Sequence, residues 1–352
     1  MAMEIKILGI ETSFDDTAVA VLSDRKVLSS VVSSSVDLYK KWGGVVPDIS
    51  RRAHIENIEA VYKEALSRSR LSINSIDYIA VTYGPGLAID LEVGLEFAKK
   101  LSKKNNIPLV PVNHMEGHLL SSFLLNSKGK GLIESIDKSS LFPAIGVLVS
   151  GNHTELILVS DFGKYTKLGE TLDDAAGEAF DKVGRMLDLG FPGGPVVSEF
   201  AKKGKKGVVN FTVPMKASGD LNFSYSGLKT ACLYRLEDLK KESADSKEWI
   251  YDFCRGFVET VGDSIVLKLE KALIENPSVK SVFAGGGVLM NEQISRKISL
   301  KAKEFETSFF LCEKKYRTDN AAMIGIAGYF NILNDNILPF DIDRDPRLEL
   351  GD

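Results

Sequence analysis

Gly9-Ile-Glu-Thr-Ser13-Phe-Asp-Asp-Thr17-Ala-Val-Ala-Val21 aligns without gaps to Gly146-Val-Leu-Val-Ser150-Gly-Asn-His-Thr154-Glu-Leu-Ile-Leu158. Gly, Ser and Thr recur at the same offsets, and apolar runs flank both polar turns. A strand, a tight polar turn and a second strand make a hairpin. The two hairpins stand too far apart for a solenoid, whose repeats span about 20–50 residues. They predict two related lobes, each opening on a hairpin. Two unrelated hairpins can also share three identities, so this pattern alone leaves coincidence open.

The rest of the chain alternates strand and helix signals. Short apolar runs predict strands at 5–10, 18–22, 27–33, 76–82, 108–112, 281–284 and 309–311. Helical spacing covers 48–69, 87–104, 172–187, 253–273, 289–302 and 319–333, and another helix starts near 113. The polar stretch 126–140 reads as a surface connection, and residues 190–195 and 202–206 read as loops. Alternating strands and helices make the class α/β. A length of 352 residues suggests two domains. They are expected at 1–115, with a C-terminal helix of about 319–340 returning to it, and at 116–318, with the site at the cleft.

Composition narrows the setting. Cys232, Cys254 and Cys312 are far apart with no CxxC, which fits buried thiols in a reducing, cytoplasmic compartment. No signal peptide is apparent, and no window approaches the ~18 apolar residues of a membrane span. The formal charge of −4 argues against a strongly basic RNA-binding surface, yet phosphate contacts depend on local clusters. Arg51-Arg52, Lys99-Lys100, Lys103-Lys104 and the lysines of 202–206 are such clusters.

The sharpest chemical signal is His114-Met-Glu-Gly-His118, two of four histidines at i and i+4. Four residues turn a helix through about 400°, so both rings share a face and can share a metal. A distant carboxylate would complete a two-histidine, one-carboxylate set, which suits iron(II) and tolerates zinc. The segment differs from the zinc-protease HExxH. Glu116 stands at i+2, about 200° from the metal face, and is badly placed as a base for metal-bound water. A metalloprotease is therefore disfavoured.

Other polar groups are less specific. The turns at Glu11-Thr-Ser13 with Asp15-Asp16, and at Ser150-Gly-Asn-His153, can cradle phosphate oxygens or be ordinary hairpin turns. Gly285-Gly-Gly287, ahead of Asn291, lets the backbone approach a ligand, as does Pro192-Gly-Gly-Pro195. No GxGxxG of a dinucleotide site and no GxxxxGK[ST] phosphate loop occurs. Asp173, Asp174, Glu178 and Asp181 are expected on one helix, as ligand carboxylates or as a solvated acidic face.

These segments together resemble the bacterial TsaD family. The resemblance rests on GIETSFDDT, GGVVP at 43–47, GPGL at 84–87, NHMEGH, LVSGNHTEL, LGETLDDAAGEAFDKVGRML, PGGP, FSYSGLKT, AGGGVLMN and TDNAAMI, in family order from about 5 to 327. Some positions depart from the family pattern. Phe14 and Asp16 replace Cys and Glu in ETSCDET, Asn152 replaces a glycine of SGGHT, and Asp90 and Glu92 interrupt an apolar run. Asn tolerates positive φ better than other non-glycine residues, so the turn at Asn152 is expected to survive.

The resemblance implies an actin-like, sugar-kinase/Hsp70-type fold with two related lobes. It implies transfer of threonylcarbamoyl from threonylcarbamoyl-AMP to N6 of adenosine 37 in tRNAs that read codons beginning with adenine. It implies one divalent metal, Fe(2+) ahead of Zn(2+), on His114, His118 and Asp319. Ligand contacts map onto Leu148, Val149, Ser150, Gly151, Asn152, Asp181, Gly194 and Asn291. Glu11, Asp15 and Asp173 are the carboxylates that could take a proton or order the site. The implied partners are tRNA, a TsaB-like paralogue and a TsaE-like P-loop ATPase, with no membrane. The competing reading is an actin-like module that binds or hydrolyses ATP without transfer, which does not need the histidine pair and Asp319.

Overall fold

The computed structural model describes residues 4–242 and 248–351. The chain divides into two compact units. The first comprises residues 1–139, 159–166 and 310–352, and the second 140–158 and 167–309.

The first sheet is built from β1 (Lys6–Glu11), β2 (Asp16–Ser23), β3 (Lys26–Ser34), β4 (Tyr78–Gly84) and β5 (Leu109–Asn113), in the order β3-β2-β1-β4-β5. β1, β2 and β3 form an antiparallel meander, and β4 and β5 run parallel to β1. The second sheet contains β6 (Ala144–Val149), β7 (Thr154–Asp161), β8 (Lys164–Glu170), β9 (Ser281–Gly285) and β10 (Ser308–Leu311), in the order β10-β9-β6-β7-β8. Read from the other edge, this is the same topology as the first sheet. β6 pairs in parallel with β9, as β1 does with β4. The hairpin repeat in the sequence therefore marks a repeated sheet.

Central strands of a sheet covered on both faces read as continuous apolar runs. β1 and β6 do so, and Leu8, Ile10, Ile145 and Leu148 are fully buried. Each such side chain contributes about 1.5–3 kcal/mol by leaving water. In the first unit the helices Pro47–Ser69 and Ala88–Asn105 supply Ile58, Val61, Leu95 and Ala98 to a core with Leu8, Ile10, Val19 and Val81. The helix Ala321–Leu333 is buried almost all round, as its small and apolar residues require.

Several boundaries differ from the sequence expectation. The helix expected at 172–187 is Ala176–Met186, so Asp173 and Asp174 lie before it. Asp173 instead accepts from Tyr225 N, Ser226 N and Ser224 Oγ, capping the helix Ser226–Glu242. The Gly190–Pro195 segment is only partly a loop, because the helix Gly193–Lys203 starts inside it. The helix expected from 289 begins at Glu292, with the Asn291 side chain accepting from Gln293 N and Ile294 N. No helix among the described residues is long and apolar enough to cross a membrane.

Candidate metal centre and ligand turns

Asn113 ends β5 and caps the helix His114–Leu120, its side chain accepting from Met115 N and Glu116 N. The cap fixes where this seven-residue helix begins, and the helix is buried throughout. His114 and His118 stand one turn apart, with ring centroids separated by 4.8 Å. Asp319 precedes the Asn320 cap of the helix Ala321–Leu333. Its Oδ1 lies 3.1 Å from His118 Nε2 and 3.5 Å from His114 Nε2. The ligand atoms of these three residues lie within 4.8 Å of one another, so they form a group that can hold a metal ion. All three belong to the first unit.

Glu11, at the end of β1, stands behind this group. Its Oε2 accepts from His114 Nδ1 at 3.0 Å and from Thr82 Oγ1, and its Oε1 accepts from Ser13 N. A carboxylate on Nδ1 holds a proton there, so that Nε2, which faces Asp319, is the nitrogen that would give up its proton to a metal, the usual outer-shell arrangement of a metal-bound histidine. Two imidazole nitrogens and one carboxylate oxygen, with the far nitrogen of His114 already held, fit a divalent transition metal.

The charges are tightly coupled. Burial opposes a proton on His114, but the carboxylates of Glu11 and Asp319 outweigh it and raise its pKa to about 10. Burial works to raise Glu11 and Asp319 as well, and the charge on His114 reverses it, holding both below their ordinary values. A bound cation would take the place of the imidazolium charge in this cluster.

Glu116 is turned from this group. Its Oε1 accepts from Tyr165 Oη at 2.8 Å and its Oε2 from Asn331 Nδ2 at 3.0 Å. Asp15 and Asp16 sit at the β1–β2 turn, where the Asp15 carbonyl accepts from Ser35 N and Ser35 Oγ. Burial and the neighbouring Asp15 charge raise Asp16 to about 7.

The residues expected to bind ligand all belong to the second unit. Leu148 and Val149 end β6, and Ser150, Gly151 and Asn152 form the turn into β7. Ser150 N donates to His153 O at 2.8 Å, and Ser150 Oγ accepts from His153 N at 3.2 Å. Gly151 and Asn152 are exposed. Asn152 is not among the residues with positive φ, so an Asn replaces glycine there without the left-handed backbone that the sequence reading allowed for. Gly286 lies against this turn at φ 103°, where a Cβ would stand 2.3 Å from Val149 O. Asp181 Oδ1 accepts from Gly193 N at 2.7 Å, beside Gly194, where a Cβ would meet nothing within 4 Å. Asn291 Nδ2 donates to Ser198 Oγ at 2.9 Å. The second unit thus gathers three turns and one carboxylate around exposed backbone.

Sequence reasoning missed several partners. Thr82, Tyr165 and Asn331 carry no motif, and only tertiary contact reveals them. The helix Ser226–Glu242 was visible in principle, since Leu228, Cys232, Leu236 and Leu239 are buried along it at i, i+4, i+8 and i+11. Two of the lysines at 202–206 form ion pairs within the protein, and Lys203 Nζ lies over the Tyr251 ring at 5.5 Å. Lys202 pairs with Glu199 at 2.7 Å and Lys206 with Glu259 at 3.6 Å.

A family model described as TsaD, tRNA N6-adenosine threonylcarbamoyltransferase, matches residues 26–326. A tRNA N6-adenosine threonylcarbamoyltransferase of Thermosipho melanesiensis is 44% identical over 344 residues, covering 98% of this chain and 99% of that one. One of Clostridioides difficile is 40% identical over 349 residues, covering 99% of each. Among solved structures, HypF of T. kodakarensis has a TM-score of 0.64 at 14% identity, covering 97% of this chain and 50% of that one. A full-length HypF in the phosphate- and nucleotide-bound form gives 0.57 at 12%, covering 95% and 47%. The fold is the actin-like α/β type with two related halves.

Proposed function

The chain belongs to the TsaD family of tRNA N6-adenosine threonylcarbamoyltransferases, and from that premise we propose how its residues divide the reaction. The donor is threonylcarbamoyl-AMP, and the acceptor is N6 of adenosine 37 in tRNAs reading codons that begin with adenine. A bond forms between N6 and the carbamoyl carbon, the bond from that carbon to the AMP phosphate oxygen breaks, and the amine loses a proton.

The observation that carries the reading is the convergence of His114, His118 and Asp319, with Glu11 fixing His114 from behind. We assign these three ligands one divalent metal, Fe(2+) ahead of Zn(2+). When bound, it supplies a Lewis-acid centre for oxygens of the acyl-adenylate. Leu148, Val149, Ser150, Gly151, Asn152, Asp181, Gly194 and Asn291 are assigned to the adenylate. Holding donor and acceptor in register is a large part of the task, because an exocyclic amine is a weak nucleophile. Backbone N–H groups at the glycine turns suit the phosphate that leaves with AMP.

Glu11 and Asp15 are the preferred carboxylates for ordering the site or taking the proton. Asp173 is the weakest candidate, because its three hydrogen bonds cap the helix Ser226–Glu242, whereas those of Glu11 include the one that holds His114 of the metal group. The reading includes a cytoplasmic setting, a TsaB-like paralogue and a TsaE-like P-loop ATPase. It also includes two lobes, with the last helix returning to the first.

The test is to incubate the purified protein, its partners and threonylcarbamoyl-AMP with unmodified tRNA, and to analyse the nucleosides. Threonylcarbamoyladenosine is the expected product, and His114→Ala loses product and bound metal together. Hydrolysis of added ATP by the protein alone, with no threonylcarbamoyladenosine from the full mixture, would instead select the actin-like ATPase.

A further inference from the structure

Glu116 is a buried carboxylate to which the proposed chemistry gives no task. It is 5% exposed, and it stands two residues from His114 and two from His118. That places it about 200° around the helix axis from both metal-facing rings. Its acceptor capacity is directed at Tyr165 Oη and Asn331 Nδ2. Asn331 lies near the end of the helix Ala321–Leu333, the helix that Asp319 introduces. Asp319 and Asn331 are therefore separated by about 18 Å along that helix.

The two ligand-bearing helices thus meet at two distant points. One is the group of His114, His118 and Asp319, and the other is the pair Glu116–Asn331. Between them Gly117 lets the backbones close up. A Cβ there would stand 3.1 Å from Met323 Cγ and Ile324 Cδ1, and 3.2 Å from Met323 O.

The histidine-bearing helix has only seven residues, all buried. Apolar contacts from Met115, Leu119 and Leu120 tolerate a small rotation about its axis, because dispersion is non-directional. Hydrogen bonds to a carboxylate do not. A roll of about 15° moves an Nε2 atom, roughly 6 Å from the axis, by about 1.5 Å, whereas ligand distances at a metal hold within about 0.2 Å.

We propose that Glu116 is a positioning residue, whose two hydrogen bonds fix the roll of the histidine-bearing helix against the aspartate-bearing one and so set the spacing of the three ligand atoms. This rests on the metal-site reading above. It accounts for a carboxylate within the histidine motif, on the face where it cannot act on a metal-bound water.

The test titrates full-length protein, stripped of metal, with zinc against a chromophoric chelator, and measures the melting temperature of the metal-free protein alongside. Glu116→Ala is expected to bind zinc about 10–100-fold more weakly. Glu116→Gln is expected within about threefold of wild type, since its amide oxygen accepts from Tyr165 and its amide N–H can donate to Asn331 Oδ1. That oxygen is buried without a partner, so the Asn331 amide can turn over to receive it. A residue that merely packs would lower the melting temperature in Glu116→Ala and leave zinc affinity where it was. His114→Ala separates the two readings. If it holds zinc like wild type, the metal site itself is misassigned. If it loses zinc while folded Glu116→Ala keeps wild-type affinity, the positioning role alone is overturned. Should Glu116→Ala not fold, Tyr165→Phe decides. It removes one hydroxyl and is expected to weaken zinc about threefold or more, and unchanged affinity overturns the proposal.

Discussion

Glu11 accepts a hydrogen bond from Nδ1 of His114 at 3.0 Å, joining the end of β1 to the start of the metal-candidate helix. The same carboxylate takes Ser13 N and Thr82 Oγ1. Three donors thus converge on an acceptor-only group that is fully buried. Glu11→Gln replaces one acceptor oxygen with an NH₂ that must face a donor, an arrangement that costs about 1–3 kcal/mol. It also frees the tautomer of His114. Metal affinity is expected to fall about 10–100-fold, and chelator competition near neutral pH measures it. Wild-type affinity in this variant would remove the orienting role of Glu11.

Asp173 has two possible tasks, and two substitutions separate them. Its three hydrogen bonds cap the helix Ser226–Glu242. Asn can still cap but carries no charge and takes no proton. Asp173→Asn is expected to keep transfer within about threefold of wild type, while Asp173→Ala loses about 1 kcal/mol of stability in urea unfolding. A stable Asp173→Asn protein whose transfer has dropped by two orders of magnitude would return Asp173 to the chemistry.

Asp90 makes stability depend on pH. It is fully buried beside Ser50, whose Oγ donates to it at 2.7 Å, and near His54 Nε2 at 3.9 Å. Burial raises its carboxyl from 3.8 to about 7 against the hydrogen bond from Ser50. The group binds its proton more tightly folded than unfolded. Its contribution therefore favours the fold at low pH and is lost as pH rises from near 4 through about 7. Asp90→Ala deletes this slope. Ser50 keeps another acceptor in Phe14 O. Relative to wild type, the variant is expected to gain about 2–3 kcal/mol of stability between pH 5 and pH 8. Denaturant midpoints that shift equally at both values would reject the assignment.

Gly286 is required by close approach as well as by its backbone. At φ 103° an L side chain is strained, and its Cβ would overlap Val149 O. Gly286→Ala is expected to cost about 3 kcal/mol in urea unfolding. A loss below about 1 kcal/mol would mean that the Val149–Ser150 turn yields readily, and would count against a preformed ligand cradle.

The strands, most helices and the α/β class were legible because they are local. Apolar runs at β1 and β6, the Asn113 cap and the i, i+4 histidines need only neighbouring residues to be read. The hairpin echo between Gly9 and Gly146 went further and anticipated two sheets of the same strand order. At Asp173 a contact from elsewhere in the chain overrides the local pattern. Asp173 reads as helical by spacing, but it lies outside the helix because Ser226 and its neighbours claim its oxygens.

The sequence by itself determined most of the strands and helices, which turns bend, and that His114 and His118 share a face. Periodicity and capping act over a few residues, and they are written in order along the chain. Only the tertiary structure decided that Glu11 stands behind His114 and that Glu116 turns toward Tyr165 and Asn331, and it brings Asp319, expected from the family resemblance, to 3.1 Å from His118 Nε2. Those contacts join residues from about fifty to more than two hundred positions apart. Sheet order and helix packing bring them together, and no local pattern encodes such distances.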